Sequence, residues 1–202
     1  MRAYTLAEFE GNLDRVNNLV AIYQELRKPG AGRRSVKSAD TLRAAVVFLH
    51  SALEEVIRNL FLWKLPLADS DALDEIPLTG LSATHRPTPF LLGKLVPHRG
   101  RFVENIIRES IEAYVDHMNV NNTKELSRCL KMVGLEPKRF SEHFSALQVM
   151  MERRHQIVHQ MDRNHEFGSG RHPAQSISVR QVSSWRDNLS LFVRAVVAAV
   201  PD

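Results

Sequence analysis

The chain has 202 residues, 44% hydrophobic and 25% charged, the values of a single soluble globular domain with one sizeable core. Its 27 Lys and Arg against 23 Asp and Glu leave a formal charge of +4, which tolerates an anionic partner without demanding one. A single cysteine, Cys129, excludes an intramolecular disulfide framework and a cysteine-rich zinc site.

The first ten residues, MRAYTLAEFE, reach an acid before an apolar core can form, so they do not read as a secretory signal. The apolar run Ala44 to Leu49 falls far short of the roughly 20 residues that span a bilayer. Together these features predict a cytoplasmic protein with no membrane association.

Apolar residues at Leu6, Phe9, Leu13, Val16, Val20 and Tyr23 alternate steps of three and four, which is the helical period. Thr5 and Glu8 suggest a capping box at its start. The basic turn that follows holds Lys28, Arg33, Arg34 and Lys37. It reads either as a solvated loop or as a phosphate-backbone contact. A second helix from about Ala39 to Trp63 has the stripe Leu42, Val46, Leu49, Leu53, Val56, Leu60 and Trp63.

Residues 66–99 hold five prolines and an acidic patch and predict an irregular connection. A structureless loop of that length is uncommon within a domain. Short helical turns should therefore interrupt it, one of them packing Phe90, Leu91, Leu92 and Leu95 on the core. Neither flank has enough helices to bury its own stripe, so the reading is one domain over 1–202.

A third long helix spans roughly Arg101 to Met118, with Val103, Ile107, Ile111, Tyr114 and Met118 as its face. Thr123 is the expected cap of a short fourth helix that Gly134 stops. A fifth runs from near Ser141 to about Arg163 and a sixth from about Val179 to Val200. The fold class is all-α, an irregular bundle of about five to six helices.

The fifth helix carries the unusual feature. Its stripe is Phe140, Phe144, Leu147, Met151, Arg154, Val158 and Met161, so an arginine stands in an apolar register. Such a residue snorkels, pairs with a carboxylate, or faces a cleft or interface. Arg153, Arg154, His155 and His159 collect within two turns, while His143 and His117 read as surface residues.

Three readings compete for this group. His155 and His159 have the i, i+4 spacing of paired zinc ligands, but Gln156 stands where the metalloprotease pattern needs Glu, and two arginines would repel a divalent ion. The second reading is structural, with histidine caps and surface arginines. The third is cleavage of a phosphodiester without metal or cofactor. A ribose 2′-hydroxyl attacks its own phosphorus, helped by a histidine that moves a proton and an arginine that faces the charged transition state.

Arg154-His155-Gln156-Ile157-Val158-His159 resembles the Arg-x4-6-His signature of the HEPN superfamily, and the chain is most similar to its RiboL-PSP-HEPN group. The second-helix run RAAVVFLHSALEEVIRNLF, with its Ala52-Leu53-Glu54, resembles that group's second helix. A short helix ending LKMVGLEPKRF and then the motif helix follow the group's order, so the resemblance covers residues 5–200.

The resemblance implies a HEPN-like bundle that dimerises through the motif helix, so that two Arg/His pairs form one cleft. It implies a metal-independent endoribonuclease, with RNA as substrate, acting as a toxin or defence component and with an antitoxin as a further partner. Arg154 would hold the scissile phosphate, His159 would do acid/base work, and His155 would be the accessory polar residue. Glu54, a partner for Arg154, and Arg153 would support them. Arg33, Arg34 and Arg171 are candidate contacts to the RNA backbone. Some HEPN proteins are not nucleases, and the alternative reading is a non-catalytic module that binds nucleotides, RNA or protein.

Overall fold

The computed structural model describes residues 1–27, 36–78, 92–163 and 174–200. Among them the chain forms α1 (Arg2–Leu26), α2 (Val36–Lys64), α3 (Ser70–Leu73), α4 (Val103–Asp116), α5 (Thr123–Met132), α6 (Phe144–Gln160) and α7 (Val179–Ala199). Three 3-10 segments, Leu65–Leu67, Leu92–His98 and Pro137–His143, complete the regular structure. No strand occurs among the described residues, only the isolated bridge between Arg163 and Ala174. The all-α class is therefore established. The seven α-helices exceed the expected five to six because the one-turn α3 sits inside the proline-rich connection, where no periodic stripe announces it.

The described residues cluster into two compact units, Met1–Ile57 with Val120–Asp202, and Arg58–Asn119. The larger unit is built on helices whose apolar positions recur every three or four residues. Phe9, Val16, Val20 and Tyr23 of α1 are buried, as are Leu42, Val46, Leu49, Leu53 and Val56 of α2. Val182, Trp185, Leu189, Phe192 and Val196 of α7 complete this core. Helix α7 packs on α1 and α6. Phe192 is its hub, taking edge contacts from Phe140 at 6.1 Å, His143 at 5.9 Å and Phe144 at 6.5 Å between ring centres. Arg186 donates to Asn17 at 2.8 Å and Arg194 to Glu10 at 2.6 Å, fixing α7 along α1.

In the smaller unit α4 packs on the 3-10 turn Leu65–Leu67. Phe61 and Tyr114 stack at 6.4 Å, and Ile106, Ile111 and Val115 are buried. Val103 is 64% exposed and Ile106 takes the core position, one turn later than the expected face begins. Of the four residues expected to pack as a turn in the connection, Phe90 and Leu91 lie outside the described residues, and Leu95 is exposed rather than buried.

Two predicted caps differ. Helix α1 starts at Arg2, so Thr5 is a buried interior residue whose N–H bonds the Met1 carbonyl, and the Thr5/Glu8 box does not form. Helix α5 is capped by Asn122, whose side chain accepts from the Glu125 N–H at 2.9 Å. Thr123 is then the first helical residue, and its hydroxyl donates instead to Gln148 of α6 at 3.0 Å. Gly134 stops α5 as its sequence position implies, in the left-handed region at φ 77°, with the Leu135 N–H returning to the Leu130 carbonyl at 2.9 Å.

Candidate functional site

Helix α6 begins later than its stripe suggests, because Pro137 initiates a 3-10 segment that runs to His143. His143 is buried rather than at the surface. Its Nδ1 lies 3.0 Å from Asn188 Oδ1, and the Asn188 amide donates back to the His143 carbonyl at 3.2 Å. This pair ties the start of the motif helix to α7. Leu147, Met150 and Met151 then bury the first half of α6.

Beyond Met151 the same register emerges from the core. Val158 is 45% exposed and Met161 72% exposed. Arg154, between Met151 and Val158 in that register, is half-buried. Its Nε is buried, and among the described residues it has no hydrogen-bond partner. His155 and His159 are both exposed, with ring centres 4.7 Å apart and planes tilted by 43°. Six residues of helix thus carry a guanidinium with an unused Nε donor and two imidazoles in mutual contact.

Arg153 is differently placed. Its guanidinium donates to Asp162 Oδ2 at 2.9 Å, to Gln175 Oε1 at 2.5 Å, and to the carbonyls of Gln175 and Ser176 at 3.2 and 3.1 Å. Burial holds it below the usual guanidinium range; Asp162 opposes that shift and the nearby Arg43 adds to it. Arg43 of α2 reaches the same carboxylate oxygen at 2.6 Å and the Gln175 carbonyl at 2.8 Å. The buried Asp162 therefore joins α2, α6 and the segment leading to α7.

Asp162 also ends the helix. Met161 and Asp162 both occupy the left-handed region, at φ 53° and 55°. The Asp162 N–H bonds back to the Gln156 carbonyl at 3.0 Å, and its own carbonyl accepts from Gln175 N–H at 2.8 Å. Two consecutive non-glycine residues there are costly, about 1–2 kcal/mol each. The doubly paired carboxylate offsets that cost and fixes the end of the helix directly after His159 and Gln160.

Glu54 of α2 is half-buried. Its Oε1 accepts from the Val120 N–H at 3.1 Å, and its Oε2 lies 3.3 Å from His50 Nδ1. Burial alone would raise its carboxyl. His50, the Val120 amide and the charge of Arg154 outweigh burial and hold it below the ordinary glutamate value of 4.5. Glu54 is thus close enough to Arg154 for their charges to interact, while its hydrogen bond goes to Val120.

Of the predicted site residues, the larger unit contains Arg153, Arg154, His155, His159 and Glu54. Arg33, Arg34 and Arg171 lie outside the described residues. Sequence reading missed the anchoring role of Asp162 and Arg43. The available signal was a helix that ends without glycine at an acidic residue. Among the described residues no group of three or more His, Cys, Asp or Glu side chains could hold a metal ion, and no helix is long and apolar enough to cross a membrane.

A family model, RiboL-PSP-HEPN, matches residues 10–201. The chain belongs to the RiboL-PSP-HEPN family. No curated protein and no solved structure matches it. Within this RiboL-PSP-HEPN protein, Arg154 to His159 occupies the exposed half of α6, and the match takes in every α-helix from α2 to α7. Membership places the chain in a superfamily associated with RNA binding and nuclease chemistry.

Proposed function

We propose that this RiboL-PSP-HEPN protein is a metal-independent endoribonuclease, a single domain over 1–202 that acts in the cytoplasm as a homodimer. The observation that carries the reading is the contrast within α6. The terminal nitrogens of Arg153 are taken up by Asp162, Gln175 and Ser176, whereas Arg154 makes none of those bonds, its buried Nε (like that of Arg153) has no partner among the described residues, and two exposed imidazoles follow it on the same helix. An unsatisfied guanidinium donor suits a phosphate oxygen.

In this mechanism the ribose 2′-oxygen forms a bond to phosphorus as the bond to the 5′-oxygen breaks. His159 takes the proton from the 2′-hydroxyl, and the leaving 5′-oxygen takes one from a second imidazole across the dimer. Arg154 holds the non-bridging oxygens, and His155 acts as the accessory polar group. The products are a 2′,3′-cyclic phosphate and a 5′-hydroxyl.

Dimerisation through α6 is supported by the exposure of Val158, one turn from Arg154 in what is otherwise the apolar register. A second copy of that stripe would cover it and bring two Arg/His pairs together. A stable protein carrying such a nuclease needs restraint in the cell, which favours a toxin or defence role with an antitoxin as partner.

The direct test incubates the purified protein with total RNA in excess EDTA and maps the new ends. Cleavage with cyclic-phosphate and 5′-hydroxyl ends is expected, and RNA carrying 2′-methoxy groups should resist. Loss of cleavage in EDTA, or 5′-phosphate ends, would overturn the mechanism. Salt-sensitive RNA binding without cleavage would favour the non-catalytic module.

A further inference from the structure

His50 lies on α2 one turn before Glu54 and is fully buried. Its Nε2 is 2.9 Å from the Val120 carbonyl oxygen. A carbonyl only accepts, so this nitrogen carries a proton and donates it. On the other side of the ring, Nδ1 is 3.3 Å from Glu54 Oε2, close but not aligned as a hydrogen bond. The Glu54 carboxylate and the His50 ring are thus in direct contact through Nδ1. The same residue orients both partners, because the Val120 N–H donates to Glu54 Oε1 at 3.1 Å.

The result is a ring of contacts among His50, Val120 and Glu54, with Oε1 hydrogen-bonded to the Val120 N–H and Oε2 lying against the His50 ring. Arg154 senses the Glu54 charge, yet its Nε has no hydrogen-bond partner among the described residues. A carboxylate released from this ring would be drawn to that guanidinium. A carboxylate-paired arginine has lost the donor fork that a phosphate requires.

We propose that His50 is a positioning residue for Arg154: by holding the Glu54 carboxylate against the Val120 amide, it keeps that carboxylate from closing on the guanidinium, which stays open to a phosphate oxygen. The inference rests on the reading of Arg154 as the phosphate-holding residue and names what keeps it available.

The test is the rate at which phenylglyoxal modifies Arg154 at neutral pH, mapped by mass spectrometry, in the unaltered protein and in His50→Leu, Glu54→Gln and the double variant. Circular dichroism reports folding, and cleavage of RNA in EDTA is followed in parallel. His50→Leu should slow the labelling about fivefold, the scale of a partly exposed ion pair. The double variant should recover the Glu54→Gln rate, because no carboxylate remains to capture Arg154, and a merely structural histidine would not be rescued in this way. His50→Asn, whose shorter amide cannot span from Val120 to Glu54, gives the same reading where the leucine variant does not fold. Unchanged labelling in the single variant, or a double variant as slow as His50→Leu, would overturn the proposal. Labelling needs no RNA. The expected pattern without any cleavage would reject the nuclease reading and leave the positioning role standing; cleavage with unaltered labelling would reject the positioning role alone.

Discussion

Arg153 and Arg154 are adjacent in α6 and do opposite things. The terminal nitrogens of Arg153 close on the buried Asp162 at 2.9 Å and on Gln175 at 2.5 Å, bonds that Arg154 does not make, while the buried Nε of each has no hydrogen-bond partner among the described residues. One arginine spends its terminal donors on the fold, and its neighbour does not. Rotation by one residue on a helix is about 100°, enough to send one side chain toward the α7 approach and the other toward the exposed register.

Removing the groups proposed to be catalytic should separate the two arginines by function. His159→Ala should lower RNA cleavage by about 10²–10⁴-fold, the usual worth of a general acid or base, with little change in stability. Arg154→Ala should be comparably inactive, and Arg154→Lys should recover only part of the rate because a point charge lacks the bidentate fork. Single-turnover kinetics in EDTA, alongside thermal melts, check these outcomes.

Asp162→Asn should act on stability first. It leaves Arg43 and Arg153, both largely buried, without their shared carboxylate. Stripping one partner from a buried ion pair costs about 3–5 kcal/mol. Urea denaturation should show a loss of this order, far more than for Arg154→Ala.

Met161 sits in the left-handed region at φ 53° and is largely exposed. Met161→Gly should relieve the strain there. Set against the extra freedom glycine gives the unfolded chain, the net gain should be about 0.5–1 kcal/mol. A rise in the thermal midpoint is the expected reading; a fall would mean that the methionine side chain contributes packing that its exposure does not reveal.

Glu54 makes stability depend on acid. Its carboxyl lies below the ordinary value of 4.5 in the folded protein. Its contribution is therefore fully present above 4.5 and is lost as pH falls through the lower folded value. Denaturation midpoints measured from neutral pH down to the acid limb should fall less steeply in Glu54→Gln than in the unaltered protein.

Val158→Arg should disrupt the proposed dimer. The residue is 45% exposed and stands one turn from Arg154, so a charge there would face its own copy across the two-fold axis. Light scattering should give a dimer for the unaltered protein and a monomer for the variant, and cleavage should fall with dimerisation.

The helices themselves were legible in the sequence, because a three–four apolar period is a local property that the backbone geometry of one helix satisfies alone. The stripes of α1, α2 and α7 are buried largely as written, and Gly134 ends α5 where a positive φ is needed. The motif helix and the family also followed from residues near one another in the chain. What period alone could not decide is which register positions find a partner. Val158 and Met161 continue the apolar pattern and are nonetheless exposed, and His143 reads as polar surface yet is buried against Asn188, 45 residues away. The division of labour between Arg153 and Arg154, and the ring of His50, Glu54 and Val120, arise only when α2, α6 and the segments before α5 and α7 meet. Hydrogen bonds and charge pairs act over a few ångströms in space, so residues 66 or 119 positions apart become partners by folding and carry no local signal of it.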